Sequence, residues 1–163
     1  MSKYVTAPPI PEVVNGITDK IQHEMERRSF LVSNELRNSA MLVLRGQRSG
    51  RRYKVPGTHK RQRDKVSGKM KNGRYYTASA PGEPPAVRTG AFRMSWQPVT
   101  RVVFGSYISR IESDIMTDNG KYTLGELLED GTPGGQMAPR PYQDAILEKT
   151  KPHILRIYNE PYF

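Results

Sequence analysis

From Val13 or Val14 to Arg45 the apolar residues step at intervals of three and four: Val14, Ile17, Ile21, Met25, Val32, Leu36, Ala40 and Val43. Arg28 is the one charge standing in that stripe, and Asp19, Lys20, Glu26, Arg27, Asn34 and Arg37 fill the opposite side. This period predicts a single amphipathic helix. Asn15 is placed to cap its start and Gly46 to stop it. Glu24 and Arg28, four residues apart, make a supporting pair on one face. A helix over Ile17–Arg45 would run about 43 Å at 1.5 Å per residue, enough to back a sheet or reach a neighbouring copy.

Around this helix the pattern changes character. Residues 1–12 hold Pro8, Pro9 and Pro11 and no periodicity, which predicts an extended arm. After Gly46, two short pieces have strand character, Arg52–Val55 and Arg74–Ser79, through Tyr53, Val55, Tyr75, Tyr76 and Thr77. Between them a long loop or β-excursion is expected, with Asn72-Gly73 as a turn. Ala78–Gly90 packs Pro81, Gly82, Pro84 and Pro85 into one segment, so neither a helix nor a central strand can form there. It reads as a stiff, extended connector.

Downstream, β-branched and aromatic residues predict strands over Phe92–Gln97, Val99–Phe104 and Tyr107–Met116, separated by Pro98 and Gly105-Ser106. Thr117-Asp118-Asn119-Gly120 reads as a hairpin turn. Thr123-Leu124-Gly125-Glu126 has capping-box form and predicts a short helix over Leu124–Glu129 ending at Gly131. Pro141 suits the first position of a last helix, which Pro152 should kink or divide. The expected fold is α+β: residues 1–12 an arm, and residues 13–163 one domain. In that domain a long N-terminal helix packs on a small, mostly antiparallel sheet, with a short helix, a C-terminal helix and a basic excursion at 46–74.

Charge sharpens the picture. The 163 residues carry 26 Lys and Arg against 16 Asp and Glu, a net charge of +10. Twelve of the basic residues lie between Arg45 and Arg74, where Asp64 is the sole acid, while the rest of the chain has 14 basic and 15 acidic side chains. A near-neutral body therefore carries one strongly basic segment. Clustered Lys and Arg neutralise phosphates and release counterions, and Tyr53, Tyr75 and Tyr76 could stack on bases. The same charge also suits an acidic protein surface. Arg48, Arg51, Arg52, Lys54, Lys60, Arg61, Arg63 and Lys65 are the candidates for contact with DNA or with such a partner.

Other chemistries find little support. With no Cys, disulfides, thiol catalysis and cysteine-zinc sites are excluded, and His23, His59 and His153 are widely separated. Gly131–Gly135 lacks the Lys-Ser/Thr ending of a phosphate loop. Glu112, Asp114 and Asp118 are the densest acids and could hold Mg²⁺ in a nuclease, but no neighbouring Lys or His completes the set. No apolar run is long enough to span a bilayer, and the N-terminus has no secretory pattern, which predicts a cytoplasmic protein or a particle assembled there.

Two spaced motifs carry a family resemblance. Ala78-Ser79-Ala80-Pro81-Gly82-Glu83-Pro84-Pro85 is followed by Thr89-Gly90, Phe92 and Ser95. Farther on come Leu128-Glu129-Asp130-Gly131-Thr132 and Arg140-Pro141-Tyr142. In this order they resemble the signature of the tail-completion (head–tail joining) proteins of tailed bacteriophages, over about Ile17 to Tyr158. Asp130 stands where that pattern has an aromatic, and the Val55–Arg74 excursion is longer and more basic. The resemblance implies a non-enzymatic virion protein without cofactor, forming a six-fold ring at the top of the tail. Such a ring would meet the head connector or stopper on one side and the tail terminator or tube on the other, with DNA passing through its lumen. It also implies structural roles for Ser79, Pro81, Gly82, Pro84, Pro85, Thr89, Gly90, Glu129, Gly131, Thr132, Arg140 and Pro141. Two other functions fit the residues: a free, basic, non-specific nucleic-acid-binding accessory protein, and a metal-dependent nuclease built on the three acids.

Overall fold

A computed structural model describes residues 9–55, 61–63, 67, 70–117 and 120–162. The fold is α+β, as the periodicity predicts, and is built around helix α1 (Ile10–Val43). Its 34 residues make α1 about 51 Å long. It starts earlier than the sequence suggests: Pro9 caps it, and Pro11 falls in the first turn, where a missing N–H breaks no helical bond. Asn15 therefore lies inside the helix, as do Ile10, Pro11 and Glu12 of the expected arm, whose residues 1–8 lie outside the described residues. The other end comes at Val43, with Leu44 as the capping residue rather than Gly46.

Basic residues lead off the sheet structure. β1 (Arg52–Lys54) pairs antiparallel with β4 (Tyr75–Thr77), with Tyr53 opposite Tyr76. Nested between them, β2 (Arg61–Arg63) pairs with β3 (Met70–Asn72). Among the described residues the expected excursion is thus a β-ribbon made of these two separate strand pairs. Asn72-Gly73 makes no hairpin turn, because β3 and β4 each pair with a different strand.

The second half departs from expectation at Phe92–Gln97. A short helix α2 (Ala91–Met94) replaces the expected strand. Gly90 opens it at φ 90°, the left-handed region, and its carbonyl accepts from Met94 N–H at 3.0 Å. Then come β5 (Gln97–Val103) and β6 (Ser106–Glu112), an antiparallel hairpin closed by Phe104-Gly105. Pro98 sits inside β5 rather than before it. Each strand of a two-stranded ribbon has a free edge, where a missing N–H need break no ladder bond. β6 stops at Glu112, short of the expected Met116, which makes an isolated bridge to Thr123. Of the predicted turn, Asp118 and Asn119 lie outside the described residues, and Gly120 N–H bonds Thr117 C=O at 2.7 Å.

Helix α3 (Leu124–Asp130) carries half of the expected capping box: Thr123 Oγ1 accepts from Glu126 N–H, but the Glu126 carboxylate accepts from the Thr123 hydroxyl at 2.6 Å rather than from its backbone N–H. Helix α4 (Gln143–Asn159) starts two residues after Pro141. It runs through Pro152 undivided, which removes the division that was one of the two expected outcomes, a kink being the other. Pro152 removes one backbone bond, and buried Ile146, Thr150 and Ile157 hold the helix where it packs on α1.

α1 also packs on β5 and β6. The core lies where the C-terminal half of α1 meets α2 and α4: Ala40, Leu44, Trp96, Tyr142 and Ile146, flanked by Leu36, Phe92, Ile111 and Leu128. Phe92, Trp96 and Tyr142 meet edge-to-face in a mutual trio, with centroids 5.5–5.9 Å apart. This geometry lets each ring's positive edge face another's π-cloud. Burial and the carboxylates of Glu129, Asp130 and Glu126 raise the Tyr142 pKa above its ordinary value. Arg28 is fully buried, which explains its place in an apolar stripe: it reaches the C-terminal tail.

Candidate functional site

The connector and the segment after α3 come together in space. Ala80–Glu83 forms a turn closed by Glu83 N–H to Ala80 C=O at 3.1 Å. Pro81 takes its second position, and Gly82, at φ 79°, its third, the geometry of a type II turn. The Glu83 carboxylate folds back to accept from Ala80 N–H at 2.9 Å and from Ser49 N–H and hydroxyl at 3.1 and 2.6 Å. Those bonds, the Ser49 hydroxyl first, hold its pKa down at about 2. Gly50 fits against the same strand end so closely that a Cβ there would lie 2.5 Å from Ala78 O.

The segment that follows α3 reaches this turn. Gly82 N–H donates to Pro139 C=O at 3.2 Å. The Arg140 guanidinium donates to the carbonyl and hydroxyl of buried Ser79, and Arg140 N–H bonds Leu128 C=O at 2.8 Å. Glu129 accepts from Tyr142 N–H and Gln143 N–H at 3.0 and 3.3 Å, so it caps α4 from a neighbouring helix. Thr132 Oγ1 accepts from Met137 N–H at 2.8 Å, closing the intervening loop. Gly131 adopts φ 83°, ψ −179°, and a Cβ there would meet Met137 O at 2.7 Å. Thr89 Oγ1 accepts from Ala91 N–H beside Gly90 at the mouth of α2. Pro85 is buried and Pro84 half-buried, while Pro81 and Pro141 are exposed. The two motifs, far apart in sequence, thus form one hydrogen-bonded unit.

The basic candidates divide into groups. Arg51, Arg52 and Lys54 lie exposed on or beside β1. Arg52 stands 4.8 Å over the Tyr75 ring and Arg51 5.8 Å over Tyr53, so aromatic faces orient two cations on the ribbon. Arg61 and Arg63 lie on β2, and Lys60 and Lys65 lie outside the described residues.

Arg48 departs from this group. Its guanidinium donates to Val43 C=O and Gln47 C=O at 2.8 Å and to Pro85 C=O at 3.1 and 3.3 Å. It thereby gives the Val43 carbonyl at the end of α1 a second donor beside Gly46 N–H and ties that end to the connector. Burial lowers its pKa from the ordinary arginine value, and Glu83 opposes that shift. Arg48 holds the scaffold together, with its donors already engaged.

The acids proposed for a nuclease form no metal-holding cluster among the described residues. Glu112 pairs with Arg110 and with Arg101, Asp114 is exposed past the end of β6, and Asp118 lies outside the described residues. Among the described residues, no group of three or more His, Asp or Glu could hold a metal ion. No helix of the described residues is long and apolar enough to cross a membrane.

Comparison of the chain with family models, curated proteins and solved structures gives no match.

Proposed function

We propose that this protein is a structural, non-enzymatic component of a tailed-phage virion. In this reading copies close into a ring at the top of the tail, between the tail terminator or tube and the head connector or stopper, and DNA passes through it. The observation that carries the reading is the union of the two signature segments. Arg140 bonded to Ser79 and Gly82 bonded to Pro139 give the separated motifs one structural task, the rigid shaping of the connector. A closed ring joins different surfaces of successive copies, and a stiff connector suits such a contact. The exposed ribbon suits contact with DNA phosphates or with an acidic neighbouring ring, both blind to base sequence.

The test combines native mass spectrometry with complementation. A closed oligomer of six or twelve and loss of infectious particles in Arg51→Glu/Arg52→Glu/Lys54→Glu, with the fold unchanged, are expected. Normal titres from that variant together with absence of the protein from the neck of labelled virions would overturn the reading. The ribbon's stacked Arg52 and Tyr75 also favour a second reading, a free nucleic-acid-binding accessory protein. That protein would be a stable monomer or dimer whose duplex affinity falls steeply with salt.

A further inference from the structure

A groove of about 730 Å³ runs between the connector, α2, α3 and the segment after β6. Its walls are largely apolar, with Leu44, Phe92 and Leu128 among them. Among the described residues that line it, Arg88, Arg93 and Arg140 are arginines and none is a carboxylate. Arg140 is engaged with Ser79 and Ala80. Arg88, exposed at the rim, and Arg93, half-buried, make no hydrogen bond or ion pair among the described residues. Arg93 Nε is moreover shielded from solvent without a partner. A desolvated donor takes an acceptor when one is offered, and a guanidinium fork matches the two oxygens of a carboxylate.

We propose that this groove is a docking site for an extended segment of another protein, one that places an Asp or Glu between apolar side chains. The apolar walls would take the flanking side chains, while Arg88 and Arg93 would hold the carboxylate. Charge complementarity selects this occupant. Among the described residues the groove is cationic and contains no acid of its own, whereas residues 1–8 of this chain carry one charged side chain, Lys3. Nucleic acid fits less well, because apolar walls give nothing to a phosphate backbone, and the exposed ribbon already offers that surface. The groove borders the ribbon at Tyr76 of β4, but none of the exposed cations Arg51, Arg52 and Lys54 lines it, and the proposal is independent of the ring reading.

The full chain, immobilised in excess sheared DNA to occupy the ribbon, is used to select from a displayed random decapeptide library. The selected peptides are expected to carry Asp or Glu beside apolar residues. A representative fluorescein-labelled peptide should bind about tenfold more weakly to Arg88→Gln/Arg93→Gln, and an Asp-to-Asn version should bind the wild type about tenfold more weakly. Arg51→Gln/Arg52→Gln should bind it normally. Peptide-induced NMR shifts should map to the methyls of Leu128 and Met137. Arg88→Gln alone, at an exposed position, keeps the test valid should the double variant fail to fold. Enrichment of no peptide, enrichment of peptides without acid, or unchanged binding to the folded Arg88 and Arg93 variants would each overturn the proposal. So would a homo-oligomer that these variants dissociate, which would make the occupant a second copy, and so would duplex DNA binding lost in them.

Discussion

The Arg28 guanidinium lies 2.8 Å from a Glu24 carboxylate oxygen, one helical turn away along α1, and is fully buried. Its remaining donors leave the helix altogether, reaching Tyr158 C=O at 3.2 Å and Pro161 C=O at 2.9 Å, while the Tyr162 ring stacks 4.0 Å from it. One arginine therefore fastens the C-terminal tail to the first helix. Glu24 is shared with Arg27, whose guanidinium meets it at 2.7 Å.

Replacing Arg28 with Ala strips the tail carbonyls of their donor and opens a cavity under α4. Removing one member of a buried charged network of this kind costs about 3–5 kcal/mol. Urea unfolding of Arg28→Ala should show that loss. Arg28→Lys should recover only part of it, because a single ammonium cannot serve a carboxylate and two carbonyls in the geometry of the fork. A variant as stable as the wild type would mean that the tail is held elsewhere.

Gly131 makes a sharper claim. Its φ of 83° with ψ near 180° belongs to a region open essentially to glycine, and a Cβ would press on Met137 O. Gly131→Ala should destabilise the protein by about 1–3 kcal/mol in chemical unfolding. Gly82→Ala is a milder test. It too has a positive φ, but its Cβ would meet open space, so its loss should be the smaller of the two.

How far the sequence revealed this fold depended on how local each cause was. The Thr123 cap on Glu126 N–H spans three residues and was legible directly. So was the strand character around Tyr53 and Tyr76, whereas their pairing across the long excursion shows only in the structure. The Glu24–Arg28 pair was legible from its spacing, but the other partners of Arg28 lie 130 or more residues away and are backbone carbonyls, which no side-chain pattern announces. Phe92 and Trp96 carry strand propensity, yet Gly90 at positive φ turns the chain into α2 and aims both rings at Tyr142. At the candidate site, the basic run was visible as charge. That Arg48 is diverted to Val43 and Pro85 follows from where α1 ends, a boundary the pattern placed two residues late.

Acid should loosen the connector. Glu24 and Glu83 each have a pKa held down at about 2 against an ordinary 4.5, Glu24 by bonds to Arg27 and Arg28 and Glu83 by bonds to Ser49 and Ala80. A depressed carboxylate contributes stability that is complete above the unfolded value and is lost as pH falls toward the folded one. The thermal midpoint should therefore hold steady above about pH 5 and drop between pH 4.5 and 2. Glu83→Gln keeps an acceptor but no titrating charge. Its midpoint should be lower at pH 7, and its decline in acid shallower. An identical pH profile in the variant would remove Glu83 from the explanation.

Phe104 sets stability against function. With Gly105 it forms the two-residue loop of the β5–β6 hairpin, at φ 48° and 76°. Glycine accepts positive φ freely, and such loops favour Asn at the first position. A bulky side chain held there is strained, and Phe104 is fully exposed beside exposed Val102 and Val103, so packing within the chain does not compensate. Phe104→Asn should therefore raise stability by about 1 kcal/mol in urea unfolding. If copies close into the proposed ring, an apolar tip kept at this cost serves a contact between proteins. The same variant should then lower infectious titre and shift the native mass toward the monomer. A more stable protein with unchanged titre and oligomeric state would show that the tip makes no such contact, and that the strain at Phe104 has no role in assembly.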